Sequence, residues 1–246
     1  PRHTISTMIG KLVKQVARLR GSGSALPGLV VERLDRGYLR RTLEPLPGGV
    51  VLVSGTNGKT TTVRLTAHLL ATHGLRVGMT NTDGVYANGR QIDSGDCSGP
   101  RSARNVLAHP DVDAAVLETA RGGLLREGLA FDKCDVAIVT NLGAGDHLGL
   151  NYITTLEDLM VLKRVIVLNV APTGSAVLNA ADPNVVAMAA RCPGGVVFFA
   201  QDGQHPVIKT HLAQGCGAWQ SCVWTTACAC SIRCSNATSR PTSGLF

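Results

Sequence analysis

Residues 50–62 read VVLVSGTNGKTTT, an apolar run that meets two glycines and then Lys59, Thr60 and Thr61 at the head of the periodic segment VRLTAHLLATHG. A glycine turn between a buried strand and a helix brings backbone N–H groups to a polyphosphate at the positive end of that helix. In such a turn Gly55 and Gly58 permit the tight path and Thr56 and Asn57 lie between them. Lys59 reaches the β- and γ-phosphates, and the Thr60 hydroxyl sits on Mg²⁺. Val53 stands where the general phosphate loop carries Gly or Ala, so the motif is the shorter GTNGKTT form. The chemistry implied is nucleotide binding with Mg²⁺.

Two further groups suit the same chemistry. Glu118 ends the apolar run AAVLE, and Asp146-His147 follows the apolar run DVAIVTN. Hard oxygen ligands suit Mg²⁺, and a second metal near the first would neutralise charge on a transferring phosphoryl group. Each has a structural alternative: a strand-end Glu can cap the next helix, and an Asp-His pair can make turn hydrogen bonds.

Apolar runs and 3.6-residue periodicity predict the elements that hold these residues. After the phosphate-loop helix come a strand LRVGMTN, a loop TDGVYANGRQIDSGDCSGP and a helix SARNVLAHP. Strand DAAVLETA, a short helix at Gly122 to Gly128 and strand DVAIVTN follow, then helix TLEDLMVLKRVIVLNV, strand SAVLNA, helix PNVVAMAARC and strand GVVFFAQ. The alternation predicts an α/β fold, a doubly wound and mostly parallel sheet carrying a phosphate loop. Ligands of such sheets bind at the carboxyl ends of the strands. Gly55 to Thr61, Thr82-Asp83, Glu118, Asn141, Asp146-His147, Asn179 and Asp182 all fall there.

The chain has 246 residues with 4% aromatics, and Val, Ala and Leu fill the predicted strands. Its 24 basic and 17 acidic residues give +7, without the basic-aromatic interleaving of a nucleic-acid binder; the excess suits ATP and carboxylate substrates or a solvated basic face. There is no apolar run of about 18 residues and no signal-peptide pattern, so a cytoplasmic protein without a membrane span is expected. Cys216, Cys222, Cys228, Cys230 and Cys234 crowd the last segment without the paired spacing of a zinc site. That segment lacks periodicity. The expected division is a lead-in at 1–47, an ATP-binding domain at 48–210, and a disordered or out-of-frame tail at 211–246.

The motifs GTNGKTT, LETARGGLLREGL, TNLGAGDHLGL, a Lys on the following helix and LNAADP together resemble the central ATPase domain of the Mur ligase superfamily. GMTNTDGVYANGR, SGDCSGPRSARNVL and FDKCDVAIVTN resemble, within that superfamily, the Mur-like half of the cyanophycin synthetases, over roughly Val50 to Pro206. The resemblance implies an ATP-dependent ligase that forms an amide through an acyl phosphate, adding arginine to the β-carboxyl groups of poly-aspartate.

Carried over residue by residue, the resemblance implies that Lys59, Thr60 and Thr61 hold ATP phosphates and Mg²⁺, with Glu118 and His147 on a second Mg²⁺. Lys163 matches a lysine that is often carbamoylated; a surface lysine is the alternative. Asn141 and Asp146 would order the loop around the nucleotide, while Asn179 and Asp182 would approach adenine and ribose. Asp83, Ser98 and Arg101 would face the acceptor. Arg121 would steady a carboxylate or phosphate, or make a helix-end salt bridge. The lead-in IGKLVKQVARLRGSGSALPGLVVERLD resembles instead the MurT-type ligases, which amidate a peptidoglycan precursor with a glutaminase partner, but their cysteine insertion is absent between residues 62 and 118. No ATP-grasp half or C-terminal Mur domain is recognisable, so a homo-oligomer or a partner subunit would supply such parts. Otherwise the chain would be an ATP-binding fragment without turnover.

Overall fold

The computed structural model describes residues 8–13, 15, 30, 33–34, 46–129, 131–143 and 153–214, and the backbone of 218–220. The first half runs β1 (Val50–Ser54), α1 (Lys59–Thr72), β2 (Val77–Asn81), β3 (Gly84–Ala87), β4 (Arg90–Ser94), α2 (Pro100–Leu107), β5 (Ala114–Glu118) and α3 (Arg121–Glu127). The second half runs β6 (Cys134–Val139), α4 (Leu156–Leu168), β7 (Val170–Asn179), α5 (Pro183–Ala187), a 3₁₀ turn at Met188–Arg191, β8 (Gly195–Ala200), α6 (Pro206–Ala213) and β9 (Ala218–Gln220).

Every residue of β1 and of β5 is buried, which requires cover on both faces of the sheet. Side chains alternate between those faces. Val51, Val53 and Val116 pack with Val63 and Ala67 of α1. Val50, Leu52, Ala115 and Leu117 join the larger core on the other side with Leu107, Leu124, Leu159 and Ile166, brought by α2, α3 and α4. Each such fully buried Val or Leu contributes about 1.5–3 kcal/mol.

The strands form one sheet in the order β4-β3-β2-β5-β1-β6-β7-β8-β9. β1 is parallel to β5 and β6, and β2, β7, β8 and β9 continue the parallel pairing. The chain leaves β1 toward β2 and β5 and later returns to β6 on the opposite side. The carboxyl end of β1 is therefore the switch point where the crevice of a doubly wound sheet opens.

One expectation changes. The segment read as a loop after Asn81 folds instead into the hairpin β3–β4, antiparallel to β2 and to each other. Asn88 and Gly89, both at positive φ, make its two-residue turn, a signal that Asn-Gly carries but that the polar strand Arg90–Ser94 obscures. After β8, helix α6 spans residue 210, and Ala218–Gln220 pairs in parallel with β8.

Candidate active site

Strand register places the first reactive groups. Val53 lies opposite Glu118 on β5, and Ser54 lies opposite Val139 on β6, so the turn after Ser54 rises between the ends of both neighbours. Gly55 has φ 147° and touches β6 so closely that a Cβ there would stand 1.9 Å from Thr140 Oγ1. Gly58, at φ 79°, is the N-cap of α1, and no side chain caps that end. The N–H groups of Lys59, Thr60 and Thr61 in the first turn have no carbonyl within the helix to bond, which is the geometry that receives a phosphate.

The turn is held from the β6 side. Asn141 Oδ1 accepts from Thr56 N at 3.1 Å and Asn57 N at 2.9 Å. Thr140 Oγ1 donates to Asn57 O at 2.7 Å, and Gly143 N donates to Thr56 Oγ1 at 3.0 Å. Lys59 Nζ donates to Gly55 O and Thr56 O, at 3.0 and 2.9 Å, so its ammonium lies over the loop that it would share with phosphate oxygens. Thr140 was not among the residues singled out from sequence. Its signal is only that a hydroxyl ends a strand beside Asn141.

Glu118 meets the loop from the other side. Thr60 Oγ1 donates to Glu118 Oε2 at 2.8 Å and lies 3.2 Å from Thr82 Oγ1. Glu118 is 3% exposed, and its Oε1 is buried without a hydrogen-bond partner. Burial pushes its carboxyl above the usual range, while the Thr60 hydroxyl and the Lys59 charge pull it back. Glu118 does not cap α3, whose N-cap, Ala120, has no side-chain hydrogen bond. A buried carboxylate oxygen without a donor, beside a hydroxyl at a phosphate loop, fits a hard divalent cation. Among the described residues no group of three or more His, Cys, Asp or Glu gathers as a metal site, so Thr60 and Glu118 are the protein donors in view.

Other predicted residues are placed less uniformly. His147 and Asp146 lie outside the described residues. Lys163 is 1% exposed on α4, which excludes the surface-lysine alternative. Asp83 pairs with Arg64 of α1, both side chains about half exposed, and its N–H and that of Gly84 donate to Asn81 Oδ1. Ser98 is buried and donates through N and Oγ to Asp96 Oδ1. Arg101 is exposed and Arg121 half-buried, at the first turns of α2 and α3; those helices meet where Gly123 packs on Gly99 and Pro100. Asn179 Nδ2 donates to Thr140 O at 2.9 Å; Asp182 caps α5 through Oδ1 and accepts from Leu142 N through Oδ2. An open cleft of about 530 Å³ runs from Asn57, Gly58 and Thr62 past Thr140, Asn141 and Asn179 to Ile138, Val177 and Phe199.

Comparison with known proteins accords with this geometry. The Mur ligase middle domain family matches residues 53–221. Cyanophycin synthetase of Synechocystis sp. is 51% identical over 163 residues, which is 66% of this chain and 19% of that protein. The MurT subunit of the lipid II isoglutaminyl synthase (glutamine-hydrolyzing) of Staphylococcus aureus is 30% identical over 119 residues, 48% of this chain and 25% of that protein. The fold is shared with a UDP-N-acetylmuramoyl-L-alanyl-D-glutamate--2,6-diaminopimelate ligase, at TM-score 0.53 and 24% identity over 66% of this chain and 34% of that one. It is also shared with MurF from Acinetobacter baumannii, at TM-score 0.51 and 17% identity over 72% of this chain and 35% of that one. By the match over 53–221 and the sheet that carries it, the chain belongs to the Mur ligase middle domain family.

Proposed function

We propose that this chain is the ATP-binding part of a carboxylate–amine ligase that works through an acyl phosphate, with arginine added to poly-aspartate as the favoured reaction. One observation carries the reading: Thr60 of an open phosphate loop donates to the buried Glu118, in a chain 51% identical over 163 residues to a cyanophycin synthetase. The chain spans 19% of that relative, so the activity, substrates and partners of the whole enzyme are part of the proposal.

An acceptor carboxylate oxygen bonds to the γ-phosphorus of ATP, the bond to the β-phosphate oxygen breaks, and ADP leaves. The amine then attacks the acyl carbon, loses a proton, and the phosphate departs from the tetrahedral intermediate. Lys59 and the first N–H groups of α1 hold the negative charge of the phosphates in place. Thr60 would hold one Mg²⁺ and Glu118, with His147, a second, and the cations would supply charge neutralisation at the phosphates when bound. Lys163, carbamoylated, would add an anionic group near them. Asp83, Ser98, Arg101 and Arg121 would lie toward the acceptor; Asp83 would first have to leave Arg64. The nucleotide base would enter the cleft beside Asn179, Val177 and Phe199. Residues 48–210 would form the ATP-binding domain in a cytoplasmic enzyme. A homo-oligomer or a partner subunit would take part in the working enzyme.

The test is phosphate release from Mg-ATP by the purified chain with poly-aspartate and arginine, each omitted in turn, beside Lys59→Ala. Release that needs both substrates and Lys59 is the expected result. Release that needs glutamine and a glutaminase partner instead would favour the MurT-like reading, and saturable ATP binding with no turnover would leave a nucleotide-binding part alone.

A further inference from the structure

The phosphate loop is not fixed by its own residues. Asn57 is pinned at its N–H and its carbonyl by two of the three residues 140–142 that leave β6: Asn141 Oδ1 takes its N–H at 2.9 Å, and Thr140 Oγ1 donates to its carbonyl at 2.7 Å. Those three residues are in turn suspended from β7 and α5. Asn179 Nδ2 donates to Thr140 O at 2.9 Å, and Leu142 N donates to Asp182 Oδ2 at 2.6 Å. The other carboxylate oxygen of Asp182 accepts from Asn184 N at 3.0 Å and Val185 N at 3.3 Å as the cap of α5. Hydrogen bonds at either end of the short backbone stretch from Thr140 to Leu142 thus link Asp182 to the residue that precedes the left-handed Gly58.

From this juxtaposition we propose that Asp182 acts on the nucleotide through the phosphate loop, as a positioning residue. The proposal rests on the nucleotide-binding reading above. Both oxygens of its carboxylate are already used within the protein, one on a helix end and one on the β6 exit. Its orientation is set by those bonds, and any further donor would share an oxygen that already holds the cradle. When Leu142 loses its acceptor, Thr140 and Asn141 lose one of their two anchors, and Asn57 can leave the conformation that presents the α1 N–H groups to phosphate.

A ligand without sugar or base separates this role from a contact with the ribose. Binding of Mg-tripolyphosphate and of Mg-ATP is measured calorimetrically on the full chain, its Asp182→Ser and Asn141→Ala variants, and the double variant. Serine keeps a helix cap but is too short to serve Leu142, and Asp182→Asn, which keeps the cap and removes the Oδ2 acceptor, stands in if the serine variant fails to fold. The expected result is a loss of about tenfold in affinity for both ligands alike, with the double variant no weaker than the weaker single one. Loss of ATP affinity with tripolyphosphate affinity untouched would overturn the proposal and assign Asp182 to the ribose. Independent, additive losses would overturn it by breaking the link to Asn141. A wild-type chain that binds neither ligand would instead refute the nucleotide reading on which it rests.

Discussion

The two sides of β1 treat their polar groups in opposite ways. Toward β6 and β7, Thr140, Asn141, Asn179 and Asp182 are bonded to one another's backbone and to the phosphate loop. Toward β5 and β2, Thr80 Oγ1, Asn81 Nδ2 and Glu118 Oε1 are buried without a partner. A buried polar group left unpaired costs about 1–3 kcal/mol, and at the acceptor Glu118 Oε1 a cation would relieve that cost. The first side needs nothing from a ligand to hold its shape. The loop after β1 is thus preorganised, while Glu118 keeps an acceptor that a cation would satisfy.

The largest effect expected on this contrast is at Lys59. Lys59→Ala should reduce phosphate release about 10³-fold without altering far-ultraviolet circular dichroism, because it removes charge from the phosphates and only two hydrogen bonds within the loop. Unfolding of that variant would show that the prebuilt side needs its lysine for structure. Gly55→Ala comes next. The added Cβ would run into Thr140 Oγ1 at a φ of 147°, so urea titration should find about 3 kcal/mol of stability lost.

Glu118→Gln tests the other side. Turnover should fall about 10²-fold, yet the melting temperature should hold or rise, since a buried carboxyl already pushed above its usual range loses its ionisable charge. A clear drop in melting temperature would mean that Glu118 is bound into the fold as firmly as Asn141. Away from both sides, Thr155→Ala removes the capping box of α4 and should cost about 1 kcal/mol by thermal unfolding.

The smallest effect concerns pH at the opposite end of the sheet. The side-chain hydrogen bond from Arg76 holds the Asp113 carboxyl below its usual range. Its stabilisation is therefore complete above about pH 3.9, the unfolded value, and fades as pH falls through the lower folded value. The Arg76 side chain is 45% exposed, so the contribution is below about 1 kcal/mol. Asp113→Asn should erase that slope and leave nucleotide binding alone; altered binding would mean that the two ends are coupled.

Much of the phosphate side was legible because its signals are local. Two glycines, Lys59 and Thr60 within six residues announce both the conformation and the chemistry, and they stay together however the rest folds. The β3–β4 hairpin was not legible as strand, since Arg90–Ser94 is polar and largely exposed at the sheet edge, where no second face demands apolar alternation. The ion pair of Asp83 was not legible either: its partner Arg64 stands 19 positions earlier on a helix, and only packing of α1 beside β2 brings the two together.

Sequence alone determined the alternation of helices and parallel strands from β1 to β8 and the glycine turn, because apolar period and backbone freedom are properties of neighbouring residues. Tertiary structure decided which side chains meet. Register set Val53 beside Glu118 and Ser54 beside Val139, so that a carboxylate 58 positions away reaches Thr60 and an amide 84 positions away fixes Asn57. Hydrogen bonds and burial act over a few ångströms of space, and chain separation carries no information about them until the sheet has closed.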